Sequence, residues 1–398
     1  MPIGSRIRQA RLALGLTLEE VSERLDRDVT RAALSKYEND RSVPSARLLT
    51  KLAKALGQKS SFFLESNPPK IEWRAYRKHS TLTRQRQMRI QAYASFQVEW
   101  FAKMQTLLYP DVSPRFPEPK KVRDVESAEM VAELTRHEWE LGDSPIRSVM
   151  QLVEDRGALV VEWPKTNGFD GLSGFANASF PVIVVCTSVP ADRIRYSMSH
   201  ELGHLLMDAS DVDPKDEERI AHRFAAAFLM PRKMVLRELG SRRRSLSLGE
   251  LALLKAKYGA SMQAWIHRAR DLEIIGESQY RNLNMMFRSR GWHNNEPVQY
   301  AAPETPNRLL QIFSRAVAEG IVTKERALSV CPRFGEIQDM IVEEYASVGE
   351  ARRLMRLPIV ERRKLLEDID AEAIKSYKEG LELDQLDIVD EEEYAEEG

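Results

Sequence analysis

Apolar residues in the first 66 positions fall in short groups: Ile7, Leu12 and Leu14; Leu18, Val21 and Leu25; Ala33, Leu34 and Tyr37; Leu48, Leu49, Leu52 and Leu56. Each group recurs largely at three- or four-residue spacing, which predicts a compact set of short helices with one buried face apiece. Gly15 ends the first helix, Thr17 and Glu20 have capping-box spacing at the start of the second, and Thr30 can cap the third. After the helix-breaking residues 66–69, a basic helical pattern over 71–108 carries Trp73, Tyr76, Tyr93, Phe96 and Trp100, and predicts a connecting helix or hairpin. Pro110, Pro114, Pro117 and Pro119 then mark a loop.

The pattern changes in the middle of the chain. A helix is expected over 127–141, and Asp143 or Ser144 should cap another that runs to Arg156. Two β-branched runs, 158–163 and 181–186, read as buried strands separated by the Gly-rich FDGLSGFAN, and a helix over 192–207 follows. Beyond Pro231 the pattern is again helical, with breaks near Gly240, Gly259, Gly276 and Gly291. The expected fold class is α+β and mostly helical. Its parts are a helical bundle over 1–66, a basic linker over 67–110, an α+β domain over 111–240, a helical region over 241–380 and an acidic tail over 381–398.

At 398 residues the chain is long enough for two or three cores, and 43% hydrophobic with 30% charged residues is the balance of a soluble protein. No run approaches the ~18 apolar residues of a membrane span. The arginines of MPIGSRIRQARLALGL interleave with apolar residues, unlike a secretory leader, so a cytoplasmic protein without a membrane partner is expected. The two cysteines, Cys186 and Cys331, offer neither a disulfide framework nor a thiolate metal site, so any metal must use His and carboxylates. The formal net charge is −1, but residues 1–64 hold 12 Lys and Arg against 7 Asp and Glu, a net of +5, while residues 381–398 hold nine acidic residues and no basic ones.

The segment HELGH places His200 and His204 at i and i+4, where two imidazoles on one helix face can grip one ion, with Glu201 beside them to take a proton from water. A catalytic zinc needs a third protein ligand and an open position. Downstream, DEERIAHRFAAAFLMP offers Glu217, Glu218 and His222. If Ala221, Phe224, Ala225 and Phe228 form the buried face, Glu218 lies on it and Glu217 about 100° away, which selects Glu218 as the ligand. His222 is read as a supporting or surface group. Arg193 and Arg195 either build structure or stabilise an oxyanion, with position favouring structure, and the 182–185 strand was a candidate edge for an extended peptide.

In a helix-turn-helix the second helix enters the major groove of double-stranded DNA near its N-terminus, so Arg31, Ala32, Ser35 and Lys36 are the expected base or phosphate contacts. The basic 70–91 stretch either adds phosphate contacts or is a solvated face.

Two resemblances gather these readings. LTLEEVSERL and ALSKYENDRSVPSARLLTKLAKALG resemble an XRE-type helix-turn-helix, over about 60 residues. LGDSPI, FDGLSGF, PVIVV, SMSHELGHLLMD and ERIAHRFAAAFLMP, in that order, resemble the ImmA/IrrE metallopeptidase family, over about 100 residues. The second resemblance implies a zincin-like domain, zinc held by His200, His204 and Glu218, and Glu201 as general base. It further implies a transcriptional regulator that cleaves a protein substrate, a repressor or other regulatory protein, in a phage, mobile-element or stress circuit. A repressor that cuts nothing and uses the second domain as a sensor or interaction surface is the alternative, as is an XRE domain that recognises a protein. XRE domains often dimerise, so a homodimer is expected. Two departures bear on DNA contact: the DRDV turn is longer than the commonest XRE turn, and Leu18 stands where many such domains have Gln.

Overall fold

The computed structural model describes residues 3–65, 69–74, 82–110, 116–164, 168–178, 180–293 and 295–338. Residues 66–68, Tyr76, Pro114, the 339–380 part of the helical region and the 381–398 tail lie outside the described residues. Residues 1–332 form one contact unit; within the second, 333–398, residues 333–338 are helical.

Four helices open the chain: α1 (Ile3–Ala13), α2 (Leu18–Arg24), α3 (Arg31–Glu38) and α4 (Ala46–Ala55). The Thr17–Glu20 capping box starts α2, and the Thr30 hydroxyl accepts from Ala33 N at the start of α3. The turn from α2 to α3 has Asp26 and Arg27 at φ 53° and 59°, two left-handed residues in succession. This bundle packs α1 against a long helix, α5 (Arg84–Leu108). The Arg6 guanidinium donates to both Glu99 oxygens at 2.7 Å, is wholly buried, and lies 3.8 Å over the Phe62 ring. A two-pronged buried pair of this kind fixes orientation as well as distance.

The remaining elements are β1 (Ile71–Trp73), β2 (Lys120–Lys121), α6 (Val125–Glu138), α7 (Val149–Asp155), β3 (Leu159–Trp163), β4 (Gly171–Ala176) and β5 (Phe180–Cys186). They continue with α8 (Ala191–Leu206), β6 (Met207–Asp208), α9 (Pro214–Leu229), α10 (Arg232–Leu239), α11 (Leu248–Tyr258), α12 (Met262–Asp271), α13 (Glu277–Ser289), α14 (Arg308–Ala318) and α15 (Lys324–Val330). Strands β1, β4, β5 and β3 pair in that order, with β3 parallel to β5 and the other pairings antiparallel.

Val182, Ile183, Val184 and Val185 of β5 are all fully buried, because α8 packs on the sheet while α5 touches it through Tyr93 on Trp163 and Phe101 on Phe180. A strand covered on both faces reads as a continuous apolar run, which is why PVIVVC was legible.

The structure departs from the pattern reading in four places. FDGLSGFAN, which the pattern marks only as a Gly-rich separator between two strands, itself holds a strand, β4. Its glycines are there for space: a Cβ on Gly174 would meet Glu72 O at 2.5 Å, and one on Gly171 would meet Glu201 Cγ at 2.7 Å. Ile71–Trp73 pairs with β4 as a strand, so the expected 71–108 helix begins only at Arg84. The helix expected to be capped by Asp143 or Ser144 starts later, with the Ser148 hydroxyl accepting from Gln151 N. Finally, 182–185 is inside the sheet with β4 on one side and β3 on the other, so its backbone groups are already paired and no peptide can add there.

Candidate metal centre

Helix α8 carries HELGH and lies between the sheet and α9. Gly203 sets the helix-to-helix approach, since a Cβ there would stand 2.9 Å from Phe224 Cδ1 of α9. The far end of α9 is held by two buried arginines: Arg136 donates to Phe228 O at 2.6 Å and Arg268 to Met230 O at 3.0 Å. Arg268 also grips Glu129 of α6 with contacts of 2.6 and 2.9 Å. Helix α9 is thus anchored by partners distant in sequence.

Three side chains converge across the α8–α9 contact. His200 Nε2 lies 3.2 Å from His204 Nε2 and 3.3 Å from Glu218 Oε2, and His204 Nε2 lies 3.7 Å from Glu218 Oε1. Donor atoms from all three lie within 4.8 Å of one another. Two ligands about 2.0–2.1 Å from a tetrahedral ion stand roughly 3.3 Å apart, so these spacings and this N,N,O donor set fit a zinc-like cation. Among the described residues no fourth protein donor joins the group, and Glu218 keeps 31% of its side chain exposed, so the cluster faces solvent on one side.

Burial pushes the His200 pKa down to about 4, so its imidazole is neutral at pH 7 with a lone pair to offer. His204 is pushed the other way: burial opposes its charge, but a hydrogen bond to Glu217 and the charges of Glu201 and Glu218 outweigh burial and raise it. Glu217 Oε1 sits 3.5 Å from His204 Nδ1, the nitrogen facing away from the cluster. Such a carboxylate fixes ring orientation and makes the other nitrogen more basic. Helical phase argues against Glu217 as a ligand; its place behind His204 depends on how α9 packs on α8. His200 Nδ1, by contrast, is buried without a hydrogen-bond partner among the described residues.

Glu201 is 4% exposed, and Ser173 Oγ of β4 donates to its Oε2 at 2.7 Å. Ser173 carries no local signal, because the Gly-rich segment around it does not show the strand pattern. His222 lies one turn after Glu218, its ring 4.5 Å from that of His200 and 6.0 Å from that of Tyr196. Arg193 pairs with Asp170 at 2.7 Å, whereas Arg195 is fully buried against Glu304 and the carbonyls of Ile146 and Gly259, a structural role.

In the N-terminal bundle Arg31, Ala32 and Lys36 are exposed on α3 and Ser35 is partly buried. A groove of about 570 Å³ runs beside this helix, lined in part by Thr30, Ala33, Tyr37, Arg47 and Lys51.

Residues 7–63 match the helix-turn-helix family, and residues 153–270 match the IrrE N-terminal-like domain, a peptidase family. The two matched stretches lie in one chain, so the N-terminal bundle is similar to a helix-turn-helix and the middle of the chain to an IrrE-like peptidase-family domain. No curated protein matches it. The IrrE-like match spans β3 to α12, and so contains the His200, His204 and Glu218 cluster. No helix among the described residues is long and apolar enough to cross a membrane.

Proposed function

We propose that the protein is a cytoplasmic, DNA-binding transcriptional regulator whose IrrE-like domain is a zinc-dependent endopeptidase acting on a repressor or other regulatory protein, with His200, His204 and Glu218 as the ligands. The observation that carries the reading is the three-ligand, solvent-facing cluster with Glu201 beside it in the sheet-side wall. A closed structural site would have four protein ligands; three leave room for substrate and water. An ion held there supplies Lewis acidity, polarising a carbonyl and acidifying water.

The chain's own groups do the rest. Glu201, held in one orientation by the Ser173 hydroxyl, accepts the proton that water loses on attacking the peptide carbonyl and delivers it to the departing amine. Glu217 holds His204, and Gly171 keeps β4 close enough for Ser173 to reach. In the N-terminal domain Arg31 and Lys36, exposed on α3, are the proposed base and phosphate contacts, with Ala32 and Ser35 on the same helix, and a homodimer would present two such helices.

The deciding experiment is metal analysis of wild type and Glu201→Gln, followed by mass-spectrometric detection of cleaved proteins in an extract. Both should bind one zinc and only wild type should cut. Equal cleavage by both proteins, or none by zinc-loaded wild type, overturns the peptidase reading.

A further inference from the structure

A cavity of about 660 Å³ lies beside the metal cluster, with Tyr196 and His222 in the wall nearest His200. The wall itself comes from the site helices: Tyr196 is one turn before His200 on α8, and His222 is one turn after Glu218 on α9. Beyond it the lining includes Arg219, Arg223 and Arg270, and small apolar patches at Ala226 and Ala264.

The charges there do not balance. Arg223 is shared between Glu129 at 3.1 Å and Asp271 at 3.3 Å; Arg270 also uses Asp271, at 3.1 Å, and Arg268 also uses Glu129, at 2.6 Å. Three guanidinium groups face two carboxylates, a surplus of one positive charge, and both carboxylates are no more than 18% exposed. Arg219 adds a further cation at the mouth, paired with Asp216 of its own helix at 3.4 Å, where 68% exposure makes the pair weak. A partly enclosed site with surplus positive charge gains by taking an anion, and guanidinium groups bind carboxylates with two parallel hydrogen bonds.

We propose that this cavity is a specificity subsite that accepts an acidic side chain, glutamate in preference to aspartate, from a residue flanking the bond to be cut. Ala226 and Ala264 give the methylene stem an apolar wall, and the longer stem of glutamate carries its carboxylate further in toward Arg223 and Arg270. The inference deepens the peptidase reading and rests on it for the word substrate, but the binding it requires can be measured without cleavage.

The test uses the full-length, zinc-loaded Glu201→Gln protein and fluorescein-labelled hexapeptides, C-terminally amidated, that differ only in a central Glu or Gln. Fluorescence polarisation should show the Glu peptide binding about tenfold more tightly at low salt, a preference that shrinks as salt rises. Arg270→Gln in that background should remove most of the preference, and Arg219→Gln, at an exposed position that folding does not need, should reduce it a few-fold. Equal binding of the two peptides overturns the subsite, as does a preference that neither substitution changes. So does tighter binding of an all-alanine peptide with a free C-terminal carboxylate, because the cavity would then read chain ends. A clear Glu preference alongside zinc-loaded wild type that cuts nothing leaves the subsite standing and removes the peptidase reading instead.

Discussion

Arg195 of α8 and Glu304, 109 residues later, meet at 2.5 Å with neither side chain more than 1% exposed. Glu304 also accepts from Val149 N and Met150 N, so one carboxylate closes the N-terminus of α7 and neutralises the arginine five residues before His200. The same device recurs. Glu296 accepts from Met262 N and Gln263 N at the start of α12 while pairing with buried Lys255, and Glu154 accepts from Asn307 N and Arg308 N at the start of α14.

Removing one partner of the Arg195–Glu304 pair leaves an uncompensated buried charge, so Glu304→Ala should destabilise the protein by about 3–5 kcal/mol. The joint change Arg195→Met with Glu304→Leu should recover much of that loss. Urea unfolding of the full chain checks both, and a single substitution that costs less than the double one refutes the role.

Glu217→Ala should lower zinc affinity about 10–100-fold without removing a ligand, the usual cost of losing an orienting carboxylate. Glu218→Ala should cost more, and competition against a chromophoric chelator ranks the two. An unchanged zinc affinity for Glu217→Ala means that His204 needs no orienting partner.

Burial pushes the Glu154 carboxyl from the ordinary 4.5 up to about 7, against the backbone N–H groups of Asn307 and Arg308 that favour its ionised form. Between these values the folded protein holds a proton at Glu154 that the unfolded chain has released, so this group's contribution to stability is full below pH 4.5 and is lost as pH rises through 7. The shift corresponds to at most about 3 kcal/mol, and Glu154→Gln should flatten that part of the profile. Thermal melts of the two proteins from pH 5 to 8 measure the difference, and parallel profiles sink the prediction.

For the N-terminal domain, Lys36→Ala should weaken binding to duplexes of any sequence and lower the slope of log affinity against log salt by about 1. Arg31→Ala should instead cost about 1–3 kcal/mol only on duplexes selected from a random pool. Binding by wild type that is indifferent to salt would show that phosphates are not the partner.

The local patterns that need only a few neighbouring residues were all in the sequence: the four-helix start with Thr17 and Thr30 as caps, the buried run of β5, and HELGH with two histidines on one face. Helical phase selects Glu218 and the family resemblance implies it too, and the fold brings it within 3.3 Å of His200. Where glycine entered, the same reasoning stopped. Gly171 and Gly174 look like loop residues locally, yet they form a strand because Glu201 and the backbone of Glu72 occupy the space their side chains would fill. Ser173, Glu217 and Glu304 matter through partners 28, 13 and 109 residues away, and no spacing rule reaches that far. The chemistry the candidate site can offer is written in the residues of one helix, since their spacing on a face is set by a 3.6-residue turn. Which groups orient His204 and Glu201, and where an arginine-lined cavity lies, depends on how helices far apart in the chain pack together, and that appears only in the fold.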